Sequence, residues 1–352
     1  MSRSTPITDA ATPPGGAGRD ATPPDAGRAG TAFSDQIVDR APLGSAGGSG
    51  NRLERVRLRD GRELIRKEVS PAWDWISRAT RDDGRVVRMW QRGLFERFPS
   101  TIDHATVAAE HHGDRWSVFM RDVSAQLVPA DRRLGRTEVR RVLGCLADLH
   151  IAFWGERFDG LCALEDRYNL LSPPTGRSEQ ERGERAGALI TRCWEHFVEL
   201  VPTEVATAIL EMAERPALLA GLLEGCEQTL VHGDVRLNNL GLCDDRVVLV
   251  DWGERTGNAP AAVELVSFLV FDAKRFDVSR DEVVGDFRGL YGDRLDEKSI
   301  ELAMIGAFVQ LGCHFTLPIA LGGGDHARAA ASAELAWWTP KVAAALEKWS
   351  PL

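Results

Sequence analysis

Residues 231–241 read VHGDVRLNNLG, and the next apolar run, RVVLVD, ends on Asp251. An Asp on a polar loop at a strand end can act as a general base or hold a metal. Asp234 is such a residue. Asn239, five residues later, can curl back to offer a neutral oxygen ligand, and Asp251 can bind the same ion from the end of its strand. Oxygen donors of this kind suit Mg2+, which keeps waters and takes further oxygens from substrate phosphates. A polyphosphate also requires positive charge and backbone N–H donors. The run GSAGGSG at 44–50 can supply donors as an anion nest, with Gly47, Gly48, Ser49 and Gly50 the candidates. Lys67 can supply the charge. These are the parts of kinase-type phosphoryl transfer.

Lys67 stands out by type. The chain has 38 arginines and only 5 lysines, and no other lysine occurs before residue 274. Where positive charge alone is wanted, this sequence uses arginine. An isolated lysine therefore invites a reason specific to lysine.

These residues must be held by ordered elements. Val56 and Leu58 alternate with polar residues, and Asp60-Gly61 is a two-residue hairpin signal, so Lys67 falls on the returning strand 64–69. Residues 71–79 and 84–97 are expected to be helical. TVAAEHHG and RWSVFMRDV are expected as two further strands. From Arg136 the pattern changes: Val139, Val142, Leu143, Leu146, Leu149, His150 and Phe153 share one helical face. Helical patterns continue over 181–200, 202–225 and most of 261–348, interrupted by LGGGDH at 321–326. Short strands at 229–231 and 246–250 flank the polar loop. The architecture is α+β, with a small sheet-rich N-lobe over 35–122 and a larger helical C-lobe over 123–352. Residues 1–34, rich in Pro, Gly, Ala and Thr, are expected to be a disordered tail.

Composition narrows the partners. The 352 residues suit about two lobes. A net charge of −9 gives nucleic-acid binding no bulk electrostatic support. Residues 51–100 carry 13 basic and 8 acidic side chains, so negative charge concentrates later in the chain and suits a cationic substrate as well as plain solubility. No apolar run reads as a membrane span, and the N-terminus lacks the apolar core of a signal peptide. Six scattered cysteines without a CxxC pair point to free thiols in a reducing cytoplasm. A monomer or homodimer is expected.

At this point VHGDVRLNNL…VVLVDWG resembles the aminoglycoside phosphotransferase and choline kinase-like family, from about residue 36 to 275. TGNAPAAVEL at 256–265 is similar to the family's Gly/Pro stretch before an acidic helix start, with Glu264 where Asp is usual. LADLHIAFW at 146–154 is similar to the helix packed under the loop. The resemblance implies a protein-kinase-like two-lobe fold and an ATP-dependent kinase acting on a hydroxyl of a small molecule such as an aminoglycoside, sugar or amino alcohol. It implies Asp234 as catalytic base, Asn239 and Asp251 as Mg2+ ligands, and Lys67 on the nucleotide phosphates. Residues 119–123, with Met120 and Asp122, become the interlobe segment against the adenine.

Each group also has a plainer role. Asn238 suits a turn, since Asn tolerates left-handed backbone angles. His232 suits holding the loop by hydrogen bonds, and His150 suits a satisfied core position. Arg236 can meet substrate, phosphate or solvent. Two other functions use the same residues. One is a nucleotide-binding pseudokinase, suggested by a missing part. A kinase lysine is oriented by a Glu on the N-lobe helix, yet residues 84–95 contain none. The other is a metal-dependent hydrolase using His232, Asp234 and Asp251, although HxH and HExxH pairs are absent.

Overall fold

The computed structural model describes residues 32–43 and 50–350. Most of the expected tail, and Gly47, Gly48 and Ser49 of the glycine-rich run, lie outside the described residues. Alternation of apolar and charged residues builds a five-stranded antiparallel sheet from β1 (Ile37–Leu43), β2 (Arg52–Leu58) and β3 (Glu63–Val69), continued below. The Asp60-Gly61 hairpin is present and sets Arg57 opposite Glu63. α1 (Trp75–Ala79) is shorter than the expected 71–79, because Asp74 caps it by accepting from the backbone N–H of Ile76 and Ser77. α2 (Arg85–Gln91) is also shorter than expected: Gly93 takes φ 63° and ends it, and Phe95–Arg97 forms a separate 3-10 turn.

β4 (Ile102–Asp103), β5 (Thr106–His112) and β6 (Arg115–Met120) follow. The sheet order is β1-β2-β3-β6-β5. Val56, Leu58, Leu64, Ala108 and Phe119 close one of its faces, with Phe33 against Phe119. Phe33 and Ser34, within the expected tail, also donate backbone N–H groups to Glu110 and are held against the sheet.

The larger part is helical. α3 (Arg136–Ala152) buries the face foreseen from its spacing, with Val139, Val142, Leu143, Leu146, Leu149 and His150 inside. α4 (Leu164–Asn169) and α5 (Pro173–Glu181) were not foreseen, being short and polar; α5 opens on a proline, which the first helical turn tolerates. α6 (Arg185–Leu200), α7 (Thr203–Glu214) and α8 (Ala217–Glu224) occupy the expected stretches, divided at Pro202 and Pro216. β7 (Thr229–Val231), β8 (Leu240–Leu242), β9 (Val247–Leu249) and β10 (Gly257–Ala259) frame the polar loop. α9 (Ala262–Asp272), α10 (Arg280–Tyr291), α11 (Glu297–Ala320) and α12 (Gly324–Trp349) complete the chain.

The expected two-lobe, kinase-like architecture is therefore present, with two qualifications. β4, from the sheet-rich part, pairs in parallel with β9 of the helical part, so the lobes share a small three-stranded sheet. And α11, by length and hydropathy, is one helix that could cross a membrane. It is mostly buried among its neighbours and carries core residues such as Ile305, Phe308 and Leu311, as a central helix of a large lobe does.

Candidate active site

The polar loop leaves β7 through His232, whose ring is fixed at both nitrogens. Nδ1 accepts from the Asp234 N–H at 3.1 Å, and Nε2–H donates to the Val250 carbonyl at 3.0 Å. Burial lowers its pKa and favours this neutral form. The ring also packs edge-on against Trp252, 4.4 Å away. With both nitrogens engaged, His232 has no lone pair for a metal, which removes one ligand from the hydrolase reading. It ties the loop to the strand that carries Asp251.

Glu264, in the first turn of α9, supports the loop from below. It accepts from the backbone N–H groups of His232 and Gly233, and from His150 Nε2 at 2.8 Å. His150 is satisfied on its other side by the Tyr291 hydroxyl. Burial alone would raise the Glu264 carboxyl, but these bonds and the nearby histidines hold it below its ordinary value. Arg167 of α4 donates to the Gly233 carbonyl at 2.9 Å and to Ser267. A buried carboxylate and a buried guanidinium thus hold the N–H and the carbonyl of the same residue, Gly233.

Asp234 is buried, at 3% exposure. Its Oδ2 is crowded: Arg255 contacts it, Arg236 lies at 3.1 Å, and the Asn239 amide donates at 2.9 Å. Its Oδ1 is buried with no hydrogen-bond partner among the described residues. A buried carboxylate oxygen without a donor costs free energy and leaves Oδ1 able to accept a further hydrogen bond. Asn239 also donates to the Asp234 carbonyl, so oxygen is the atom its side chain has to offer a cation. Asn238 is exposed and accepts from Arg275. It does sit in the turn Leu237–Asn239, but that turn is 3-10, and Asn238 does not take the left-handed angles expected of it.

Asp251 does. It takes φ 71°, a strained backbone for a non-glycine residue. Its carboxylate meets Lys67, a pairing the sequence left open. Burial would raise its pKa, but Lys67, then Arg255 and Arg236, hold it at about 2. The lysine's second partner was not anticipated: Glu254 Oε1, 3.1 Å from Nζ. This carboxylate comes from the segment after Asp251 and not from the N-lobe helix. α2 instead presents Arg85, buried, whose guanidinium donates to the Glu254 carbonyl at 2.8 Å. Burial disfavours the Lys67 ammonium, yet Asp251 and Glu254 outweigh this and raise its pKa.

The structure thus brings Asp234 together with Asn239, and Lys67 together with Asp251. Arg255 links the halves, touching Asp234 and acting on Asp251. Sequence reasoning missed Glu254 and Arg255, although two opposite charges directly after DWG, in an otherwise apolar region, were a usable signal. Met120 sits in β6 two residues beyond Val118, which pairs with Lys67, and packs near Val248 and Val250. The Asp122 side chain is taken up by Ser124 and by Arg55 at 2.8 Å, which leaves only its backbone for a ligand. Gly50 takes φ 97°, and a Cβ there would lie 2.4 Å from the Trp73 carbonyl oxygen, so its glycine is required by packing alone. Among the described residues no group of three His, Cys, Asp or Glu side chains could hold a metal. Asp251 and Asn239 would supply two oxygens, which fits an ion that completes its shell from phosphates and water.

The sequence model of the phosphotransferase enzyme family matches residues 46–298. No curated protein matches the chain. Solved structures do, remotely. Choline kinase LicA from Streptococcus pneumoniae is 12% identical, with 88% of this chain and 94% of that one covered and a TM-score of 0.47. An aminoglycoside phosphotransferase from Alicyclobacillus acidocaldarius is 17% identical, with 89% and 92% covered and a TM-score of 0.45. Choline kinase from Cryptosporidium parvum is 12% identical, with 90% and 91% covered and a TM-score of 0.47.

Proposed function

The chain belongs to the phosphotransferase enzyme family, and from that premise we propose that it transfers the γ-phosphoryl group of ATP to a hydroxyl of a small molecule. The observation that carries the reading is Asp234: Oδ2 held by two arginines and an amide, Oδ1 buried and unpartnered. Oδ1 is the atom to receive the acceptor's hydroxyl proton, within hydrogen-bond reach of the attacking oxygen. Phosphate charge arriving between the lobes competes for Arg255 and Arg236 and so releases the carboxylate for the acceptor. Lys67 then pairs with the donor's phosphates, and Met120 with the Asp122 backbone borders its base. Gly47, Gly48, Ser49 and Gly50 are proposed to cover the phosphates with backbone N–H groups. Asp251 and Asn239 would hold Mg2+, which when bound neutralises charge on the phosphate oxygens.

The acceptor lies against the helical part. Phe271 under Arg236, and His314 of α11 against Phe271, begin one wall beside Asp234. Six free thiols suit a cytoplasmic setting. The test is an ATP-consumption screen over aminoglycosides, sugars and amino alcohols, with neutral and anionic alcohols included because arginines flank Asp234. Mg2+-dependent turnover with one class supports the reading. Nucleotide binding without turnover on any acceptor would favour a pseudokinase instead.

A further inference from the structure

Lys67 has two acidic partners with different futures. The Asp251 carboxylate is 32% exposed, and that of Glu254 only 11%. Glu254 is also fixed twice more: Oε1 accepts from the Asn51 amide at 3.0 Å, and its carbonyl accepts from Arg85. The turn that carries it is closed by Thr256, whose Oγ1 accepts from the Gly253 N–H and donates to the His232 carbonyl. On its other side, a Cβ at Gly253 would lie 3.1 Å from Val86 of α2, so the turn rests against that helix. Glu254 is therefore held from α2, from the strand end at Asn51 and from the catalytic loop at once.

We infer that Glu254 is the positioning residue for Lys67, and that α2 acts on the lysine through Arg85 and the residue 253–256 turn. The inference rests on the phosphotransferase reading. Were Asp251 to hold a metal ion instead of Lys67, Glu254 would remain as the lysine's buried acidic partner. The lysine then keeps one fixed partner while its remaining hydrogens face the phosphates. In this arrangement the acid that aims the lysine comes from the segment after the metal-binding Asp. A shift of α2 is transmitted to Lys67 by a guanidinium–carbonyl bond, with no carboxylate on the helix itself.

The test is a double-mutant cycle on the full chain, with Glu254→Gln and Lys67→Met singly and together. The readout is the dissociation constant of the Mg2+ complex of a non-hydrolysable ATP analogue, with melting temperature recorded for each variant. Glu254→Gln is expected to weaken binding about tenfold when Lys67 is present and less than about twofold when it is Met. Arg85→Met, a second variant that leaves the Glu254 side chain in place, is expected to show the same dependence on Lys67. Equal losses in both lysine backgrounds, or undiminished binding by Glu254→Gln, would overturn the inference. If the wild-type chain binds no nucleotide, the phosphotransferase reading falls first and takes the inference with it.

Discussion

Gly233 takes φ 90°, and a Cβ there would lie 2.0 Å from the Arg255 carbonyl oxygen and 2.8 Å from the Arg167 guanidinium. No side chain fits between the buried arginine and the turn that carries Arg255. Gly233→Ala is expected to cost about 2 kcal/mol or more, read as a lower urea midpoint, and to lower activity with it. Arg255 itself is the most consequential residue that sequence reasoning missed. Arg255→Met should weaken nucleotide binding and lower kcat by about a hundredfold, because it removes the proposed phosphate partner that also contacts Asp234. Unchanged kcat would remove it from the chemistry. Asp234, Asn239 and Asp251 were legible because their spacing lies in one short stretch, and Lys67 because lysine is rare here. Glu254 was not legible as the lysine's partner: the contact spans 187 residues, and nothing local in either segment encodes the other.

At the scale of elements, two helix starts do work beyond packing. Glu264, in the first turn of α9, holds the backbone of His232 and Gly233 together with His150. Glu264→Gln puts an amide N–H against donors that now meet a carboxylate. It is expected to destabilise the fold by about 3 kcal/mol by urea titration. Asp74, capping α1, is raised to about 7 by burial and by the nearby Glu254, against the pull of Lys67 and of two backbone N–H groups. The folded state thus keeps a proton that an unfolded Asp, with its ordinary value of 3.8, has already lost. Its contribution to stability is full below about pH 4 and is lost as pH rises through about 7. Asp74→Asn should flatten that fall in a pH series of melting temperatures; an unaltered slope would show that another group sets it. Long elements such as α3 were legible from periodicity. β4, β8 and β10 span two or three residues, too few to show any period, and exist because partners elsewhere pair with them.

Across the whole molecule, the two lobes meet through many specific bonds, among them the β4–β9 pairing, Lys67 with Asp251 and Glu254, Arg85 with the Glu254 carbonyl and with Asp166, Arg78 with Glu179, and Arg88 with the Gly160 carbonyl. The order of a sheet-rich lobe before a helical one followed from the change of periodicity near residue 136. The strand shared between them did not, since a two-residue parallel pairing leaves no mark on composition. Of the described donor-binding groups, Lys67 and Asp251 lie at this junction, so a bound nucleotide should stabilise both lobes as one unit. The measurement that tests the central claim most directly compares wild type with Asp234→Asn, using an acceptor found by the screen. Phosphorylated product and nucleotide affinity are followed on the same samples. The account predicts at least about a thousandfold loss of phosphoryl transfer, with nucleotide affinity within about threefold of wild type. Transfer by Asp234→Asn at the wild-type rate would contradict it.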